Sequence, residues 1–179
     1  MDLPPRVSWG IGTAHAFTYV EISLEELTKK ASRVLVATPI ESRSQWEDSG
    51  GTRRIVTYYR LRVDDDIVGS GDQQVWVRVL GGIVDGIGQR VSGSVQMTMS
   101  KPSLLFLSKG QATVFHVTAM RQGHFPIVRT NNQATIATHR IKSKPLRRVT
   151  QGRPASVLEG LNIQQARKLI VEAHRKHEK

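Results

Sequence analysis

The chain has 179 residues, no cysteine and a net charge of +11. This length fits one domain with an appended arm. Without cysteine, disulfides, thiolate zinc sites and cysteine nucleophiles are excluded. No apolar run approaches the roughly 18 residues of a membrane-spanning helix, so we expect no membrane span.

The charge is unevenly distributed along the chain. Residues 1–100 carry a net charge of −1, whereas residues 101–179 carry +12. Two interpretations stay open. The basic half binds an acidic partner, such as nucleic acid, anionic lipid or an acidic protein face, or it is a solvated tail that keeps the protein soluble.

The first segment, "MDLPPRVSWGIGTAHA", ends in the A-x-A pattern that signal peptidases read. Its acidic second residue, its two prolines and its weakly apolar centre depart from an ordinary signal peptide. We expect residues 1–16 to be a leader remnant or a disordered extension. The expected location is periplasmic or secreted, with the cytoplasm as the alternative.

The next segments predict a short helix followed by strands. "SLEELTKKAS" begins with Ser23 and Glu26 at capping-box spacing, which predicts a helix over roughly residues 24–31. "RVLVATPIESRSQW" is rich in β-formers. "TRRIVTYYRLRVDD" alternates with period 2, which predicts a strand with one apolar face. "QVWVRVL" alternates in the same way.

The stretch "VLGGIVDGIGQRVSG", residues 79–93, contains four closely spaced glycines. A phosphate-binding loop of the Walker A type needs Lys and Ser/Thr where Ile87 and Gly88 stand. A Rossmann loop needs a third glycine where Val91 stands, and a helix after it. We therefore predict a glycine-rich bend between strands, and a contact loop at Asp85, Gln89 and Arg90.

The following segments complete a β-rich plan. "SLLFL" and "ATVFHVTAM" flank "SKGQ", which predicts a hairpin. "FPIVR" and "ATIATHR" predict two more strands. Short links between strands favour an antiparallel barrel or sandwich over βαβ units. The predicted fold is mainly β: an antiparallel five-stranded OB-like barrel with a short N-terminal helix and a C-terminal helix.

The C-terminal region divides into a basic arm and a helix. Asn162 and Gln165 form a second capping pair, followed by an apolar stripe that predicts a helix. The predicted domains are the segment 1–16, a barrel over 17–139, and an arm with the helix over 140–179. The arm carries a cluster that we predict to bind an anion or a partner: Arg140, Lys142, Lys144, Arg147 and Arg148.

No catalytic or metal-binding pattern stands out. There is no G-x-S-x-G elbow and no H-E-x-x-H spacing, and the run Asp64–Asp66 lacks the alternation of a calcium loop. His174 and His177 lie three residues apart in the terminal helix, which is more typical of a solvated helix end than of a metal site. We expect no cofactor, no metal and no enzymatic activity.

Four segments together resemble netrin-like modules, a group that includes the tissue inhibitors of metalloproteinases and exported bacterial proteins. They are "SLEELTKKASRVLVATPIESRSQW", "IVTYYRLRVDDDIVG", "QVWVRVLGG" and "SLLFLSKGQATVFHVTAMRQGHFPI", within about residues 23–128. The resemblance implies an OB-like barrel, export, and binding to another protein such as a protease. The animal inhibitors chelate zinc through an N-terminal cysteine that this chain lacks, so no site residue carries over.

The expected function is therefore a non-enzymatic, exported binding module that engages a protein partner such as a secreted metalloprotease. The alternative is an OB-type nucleic-acid-binding protein that uses the basic C-terminal half. Phosphate neutralisation by the arm would give salt-sensitive binding, and aromatic side chains of the barrel would stack on bases.

Overall fold

A computed structural model describes residues 20–130, 133–138 and 152–176. Two helices, α1 (Leu24–Lys30) and α2 (Ile163–Arg175), flank a β-rich body. Its strands are β1 (Arg33–Ser49), β2 (Thr52–Val68), β3 (Gln74–Leu80), β4 (Gly82–Val84), β5 (Ile87–Gln89), β6 (Ser103–Lys109), β7 (Val114–Val117), β8 (His124–Thr130) and β9 (Gln133–Ile136). Short 3₁₀ turns cover Met120–Gly123 and Ala155–Leu158. The prediction of a mainly β chain with an N-terminal and a C-terminal helix is confirmed.

Helix α1 begins where the capping pattern predicts. The Ser23 hydroxyl accepts a hydrogen bond from the Glu26 N–H at 3.1 Å, which satisfies one of the free donors of the first turn. Leu24 and Leu27 lie on one face of the helix and are fully buried. The helix is therefore held by packing as well as by its cap.

Seven strands form one sheet in the order β1-β2-β3-β7-β6-β8-β9, and β1 pairs with β6 as well. The prediction of five antiparallel strands is wrong on two points. The hairpin β8–β9 extends the sheet, and β3 pairs with β7 in parallel. The pairings β1-β2-β3-β7-β6-β1 form a circuit with an odd number of strands. Because direction cannot alternate around an odd circuit, one neighbouring pair must be parallel.

Strands β1 and β6 have buried side chains on both faces. Val34 of β1 and Phe106 of β6 belong to one apolar cluster, together with α1 and α2. Leu35 of β1 and Leu107 of β6 belong to a second cluster, with side chains of β2, β3 and β7. Double burial explains why "RVLVA" and "SLLFL" are continuous apolar runs rather than alternating ones.

Helix α2 is part of the first cluster. The Asn162 side chain accepts from the Gln165 N–H at 2.9 Å, and the Gln165 side chain accepts from the Asn162 N–H at 3.1 Å, so the predicted capping box is confirmed. Its buried face contributes Ala166, Ile170 and Ala173. The proposed domain boundaries, at residues 16 and 139, lie outside the described residues. No helix among the described residues is long and apolar enough to cross a membrane.

We expect Ile170→Ala to lower the free energy of unfolding by about 2–5 kcal/mol, because the Ile170 side chain on α2 is fully buried in the first apolar cluster. The matched control is Lys168→Ala, an exposed position two residues earlier, which should change stability by less than about 0.5 kcal/mol. Urea unfolding measures both. Equal effects of the two changes would show that α2 is not part of the cooperative core.

Candidate functional site

The glycine-rich stretch forms a hairpin rather than a simple bend. Strand β4 pairs with β5, with Val84 opposite Ile87. The two residues between them have positive φ angles, 49° at Asp85 and 78° at Gly86. This conformation matches a two-residue primed turn, for which Asp-Gly is a preferred sequence. The Asp-Gly pair is therefore the signal from which the hairpin was predictable.

The base of this hairpin is fixed to the sheet. The Gln89 side-chain oxygen accepts from the Ile55 N–H at 2.6 Å, and the Thr57 hydroxyl donates to the Gly81 carbonyl at 2.7 Å. At Gly82 a Cβ atom would collide with the Thr57 hydroxyl and lie 2.7 Å from that of Ser44. Only glycine therefore permits this close approach, at a φ of 147°.

A pocket of about 370 Å³ opens beside the hairpin base. Its walls are Thr57 and Tyr59 of β2, residues 79–82 and 89–96, and Arg121. These segments contain two arginines and no aspartate or glutamate. The pocket wall therefore carries a formal charge of +2, and its serine, glutamine and tyrosine side chains add hydrogen-bonding groups.

Arg90 and Arg121 are both exposed, and the described residues supply no hydrogen-bond or ion-pair partner to either guanidinium. The backbone N–H of Arg121 donates to the Gly93 carbonyl at 3.0 Å, which ties its turn to the pocket wall. Directly before it, Ala119 and Met120 both have left-handed φ angles, 53° and 55°. Such conformations cost on the order of 1–3 kcal/mol each, and they recur at binding sites.

Tyr59 is a titratable side chain of the pocket wall. Burial raises the pKa of its hydroxyl, and a hydrogen bond with the Met97 backbone opposes this effect without cancelling it. Because the ordinary tyrosine value is already about 10, the phenol is neutral at physiological pH. It therefore adds no negative charge to the pocket.

The hairpin itself exposes two large apolar side chains. Ile83 on β4 is 70% exposed and Ile87 on β5 is 56% exposed. Strands β4 and β5 form a two-stranded sheet of their own. Its outer edges present backbone donors and acceptors that a further strand can use.

The outer face of β1–β3 has a different character. Arg43 and Arg60 both lie within 6 Å of the Trp76 ring centroid, at 5.4 and 5.9 Å, and both pair with Glu41. Arg78 donates two hydrogen bonds to one oxygen of Glu47. Each of these three arginines is therefore engaged by a carboxylate of the same face, and Glu41 is shared by two of them.

Glu47 is the centre of a small network on that face. Tyr58 donates to one carboxylate oxygen at 2.6 Å, while Arg78 binds the other. Burial by itself would raise the pKa of Glu47. Hydrogen bonds from Arg78 and Tyr58 and the charge of Arg78 outweigh burial and lower it. The folded state therefore stabilises the ionised carboxylate.

The predicted contact loop is only partly brought together. Gln89 and Arg90 line the pocket, but Asp85 lies at the hairpin tip, away from it. The basic arm residues lie outside the described part of the chain: Arg140, Lys142, Lys144, Arg147 and Arg148. Sequence reasoning missed Arg121, because it joins Gln89 and Arg90 in the pocket wall only through the tertiary structure. Within residues 20–130, 133–138 and 152–176, no group of three metal-ligating side chains is arranged to hold an ion.

The chain matches no protein-family model and none of the curated proteins. The similarity to netrin-like modules therefore rests on the segments quoted above. Function has to be inferred from the side chains that form the pocket and the hairpin.

Gly86→Ala should destabilise the hairpin by about 1–2 kcal/mol, because alanine is strained at a φ of 78° although no atom lies within 4 Å of its Cβ. Gly88→Ala is the matched control, since its Cβ would meet only Ile83 Cγ1, at 3.9 Å. Amide hydrogen exchange of residues 82–89 measures the change. If the two variants exchange equally fast, the primed turn is not the conformation in solution.

Glu47→Gln should lower the free energy of unfolding by about 1 kcal/mol at pH 7. The folded pKa of Glu47 is lowered, so its contribution is present above the ordinary glutamate value and is lost as pH falls through the folded pKa. The difference between wild type and variant should therefore shrink below about pH 4. Urea unfolding at pH 7 and pH 3 measures it, with the exposed Asp48→Asn as control. A difference independent of pH would contradict this role of Glu47.

Proposed function

We propose that the chain is a non-enzymatic binding module on an OB-like barrel, and that it is exported. It engages a protein partner, such as a secreted metalloprotease, through the β4–β5 hairpin and the adjoining pocket. The observation that carries this proposal is the presence of two exposed isoleucines on a hairpin whose base is hydrogen-bonded to β2.

The barrel part of the proposal is supported by the circuit of strand pairings. Strands β1, β2, β3, β7 and β6 each contribute to the second apolar cluster, and each pairs with two neighbours around that circuit. The single parallel pair, β3–β7, is what an odd circuit requires. Strands β8 and β9 would then be an extension on β6, under which α1 and α2 pack.

Protein binding is supported by what the hairpin exposes. Isolated exposed apolar residues are common on any surface, but here two isoleucines lie on one short hairpin. A partner segment that adds a strand at the edge of β4–β5 would gain main-chain hydrogen bonds. Because Ile83 is opposite Gly88 and Ile87 is opposite Val84, the two isoleucines lie on opposite faces of the hairpin, and the partner would contact one of them on each face. Anchoring of the hairpin through Gln89 and Thr57 reduces the entropy that such binding would cost.

The metalloprotease as partner comes from the netrin-like resemblance alone. The animal inhibitors use a cysteine to reach the protease zinc, and this chain has no cysteine. Contact would therefore be made by the hairpin and the pocket, without thiolate coordination. Export is proposed on the same resemblance and on the A-x-A pattern before Phe17.

The nucleic-acid alternative has less support among the described residues. On the outer face of β1–β3, Arg43, Arg60 and Arg78 are all engaged with carboxylates. A phosphate backbone would have to compete with these ion pairs. The basic arm, on which that alternative depends, lies outside the described part of the chain.

The double variant Ile83→Ser/Ile87→Ser should bind a zinc endopeptidase purified from the medium of the source organism at least tenfold more weakly than wild type. Each isoleucine buried in a complex contributes about 1.5–3 kcal/mol. The control is Val128→Ser on β8, which is 50% exposed and remote in sequence from the hairpin. Binding and the rate of proteolysis are measured together.

The double variant Ile83→Ser/Ile87→Ser and the control Val128→Ser should each have a free energy of unfolding within about 0.5 kcal/mol of wild type, since the replaced side chains are exposed. Urea unfolding measures this. The proposal fails if wild-type protein neither binds nor slows any of the secreted zinc endopeptidases. It also fails if the double variant binds as tightly as wild type.

A further inference from the structure

The pocket beside the hairpin holds positive charge that the fold does not neutralise. Several arginines elsewhere in the described residues pair with a carboxylate, as Arg33 does with Asp66 at 2.7 Å. Arg90 and Arg121 have no such partner among the described residues, although both line the same cavity. A bound anion would be attracted by both guanidinium groups.

The chemistry of the wall suits a carboxylate. A guanidinium presents planar pairs of N–H donors that match the two oxygens of a carboxylate or a phosphate. The neutral phenol of Tyr59 and the exposed Ser92 and Gln96 add polar groups beside them. No acidic side chain in the wall would repel the ligand.

The size of the cavity limits the ligand. Pockets for drug-sized molecules span about 300–1,000 Å³, so about 370 Å³ lies at the low end of this range. Such a pocket accommodates one side chain or one small anion, and it is small for a nucleotide. The ligand is therefore a single anionic group, free or attached to a larger chain.

Continuity with the hairpin favours an attached group. Gly82, the first residue of β4, and Gln89, the last residue of β5, are themselves part of the pocket wall. An extended segment paired with one strand of the hairpin, with Ile83 on one face and Ile87 on the other, would reach the pocket at the hairpin base. Successive side chains of an extended segment point to opposite faces. An acidic side chain can therefore point into the pocket while the apolar side chains on either side of it point the other way.

We propose that this pocket is an anion site, and that Arg90 and Arg121 hold the carboxylate of an acidic side chain in an extended segment of the partner. The inference deepens the proposed function and rests on it, since it states which chemistry the partner must present. The required partner feature is an acidic residue next to β-branched apolar residues.

The probe is a synthetic heptapeptide, acetylated and amidated, with the sequence Val-Thr-Val-Glu-Val-Thr-Val, against the same peptide with Gln in place of Glu. Wild-type protein should bind the Glu peptide at least tenfold more tightly, and the preference should fall with added salt. Arg90→Gln and Arg121→Gln should each abolish the preference. Arg129→Gln, an exposed arginine on β8 outside the pocket, should preserve it. Isothermal calorimetry measures all four proteins.

Equal affinity for the Glu and Gln peptides overturns the proposal, and so does a preference that survives in both pocket variants. Inorganic phosphate and a single-stranded oligonucleotide form two further arms. If either binds in an Arg90- and Arg121-dependent way while the Glu peptide does not, the site takes another anion and the carboxylate assignment is wrong.

The outcome separates this inference from the proposed function. One outcome is that the isoleucine double variant loses endopeptidase binding while Arg90→Gln and Arg121→Gln bind the endopeptidase as wild type does. This outcome would support binding through the hairpin and reject the anion site. A Glu preference that depends on both arginines, without any endopeptidase binding, would support the anion site and reject the metalloprotease as partner.

Discussion

The structure depends on two paired strands, β1 and β6, whose side chains are buried on both faces of the sheet. Each strand directs alternate side chains into two different apolar clusters, so Leu104 and Leu105 are both fully buried although they point to opposite faces. One cluster fills the space inside the circuit of strands. The other lies under α1, α2 and β9. Since both clusters contain side chains of β1 and β6, the described N-terminal and C-terminal helices and the sheet are parts of one packed body.

Strand direction then determines where the site forms. An odd circuit of pairings requires a parallel neighbour pair, and here β7 lies beside β3 in parallel. Because β3 and β7 are parallel, a tight hairpin cannot join them. The chain instead leaves β3 through a long connection, residues 81–102, and passes through β6 before it reaches β7. Val95 and Met97 of that connection are buried in the second cluster. The remainder of the connection is free to form the β4–β5 hairpin and one wall of the pocket.

Local signals in the sequence predicted much of this fold. Period-2 alternation located β2 and β3, and polar caps located the first residues of α1 and α2, because these features depend only on neighbouring residues. The segments of β8 and β9 were predicted as strands, but their place in the sheet and the parallel β3–β7 pairing were not predictable in this way, since pairing is decided by distant segments. The pair Asp85-Gly86 is a local signal for a hairpin turn, whereas the spacing of the glycines alone does not indicate one. Gln89 and Arg90 of the predicted contact loop line the pocket, while Arg121 is about 30 residues away in sequence and reaches the pocket only through the tertiary fold.

The turn before Arg121 departs from the ordinary backbone conformation. Five non-glycine residues in the described chain have positive φ, and two of them, Ala119 and Met120, directly precede Arg121, which lines the pocket. Arg90 and Arg121 are also exposed and without a carboxylate partner among the described residues. Most of a natural sequence agrees with its fold at every level, so a place where strain and unpaired charge coincide needs a further explanation. The proposed anion site accounts for both observations, because a bound anion would pair with the two guanidinium groups and would make use of the position in which the strained turn holds Arg121.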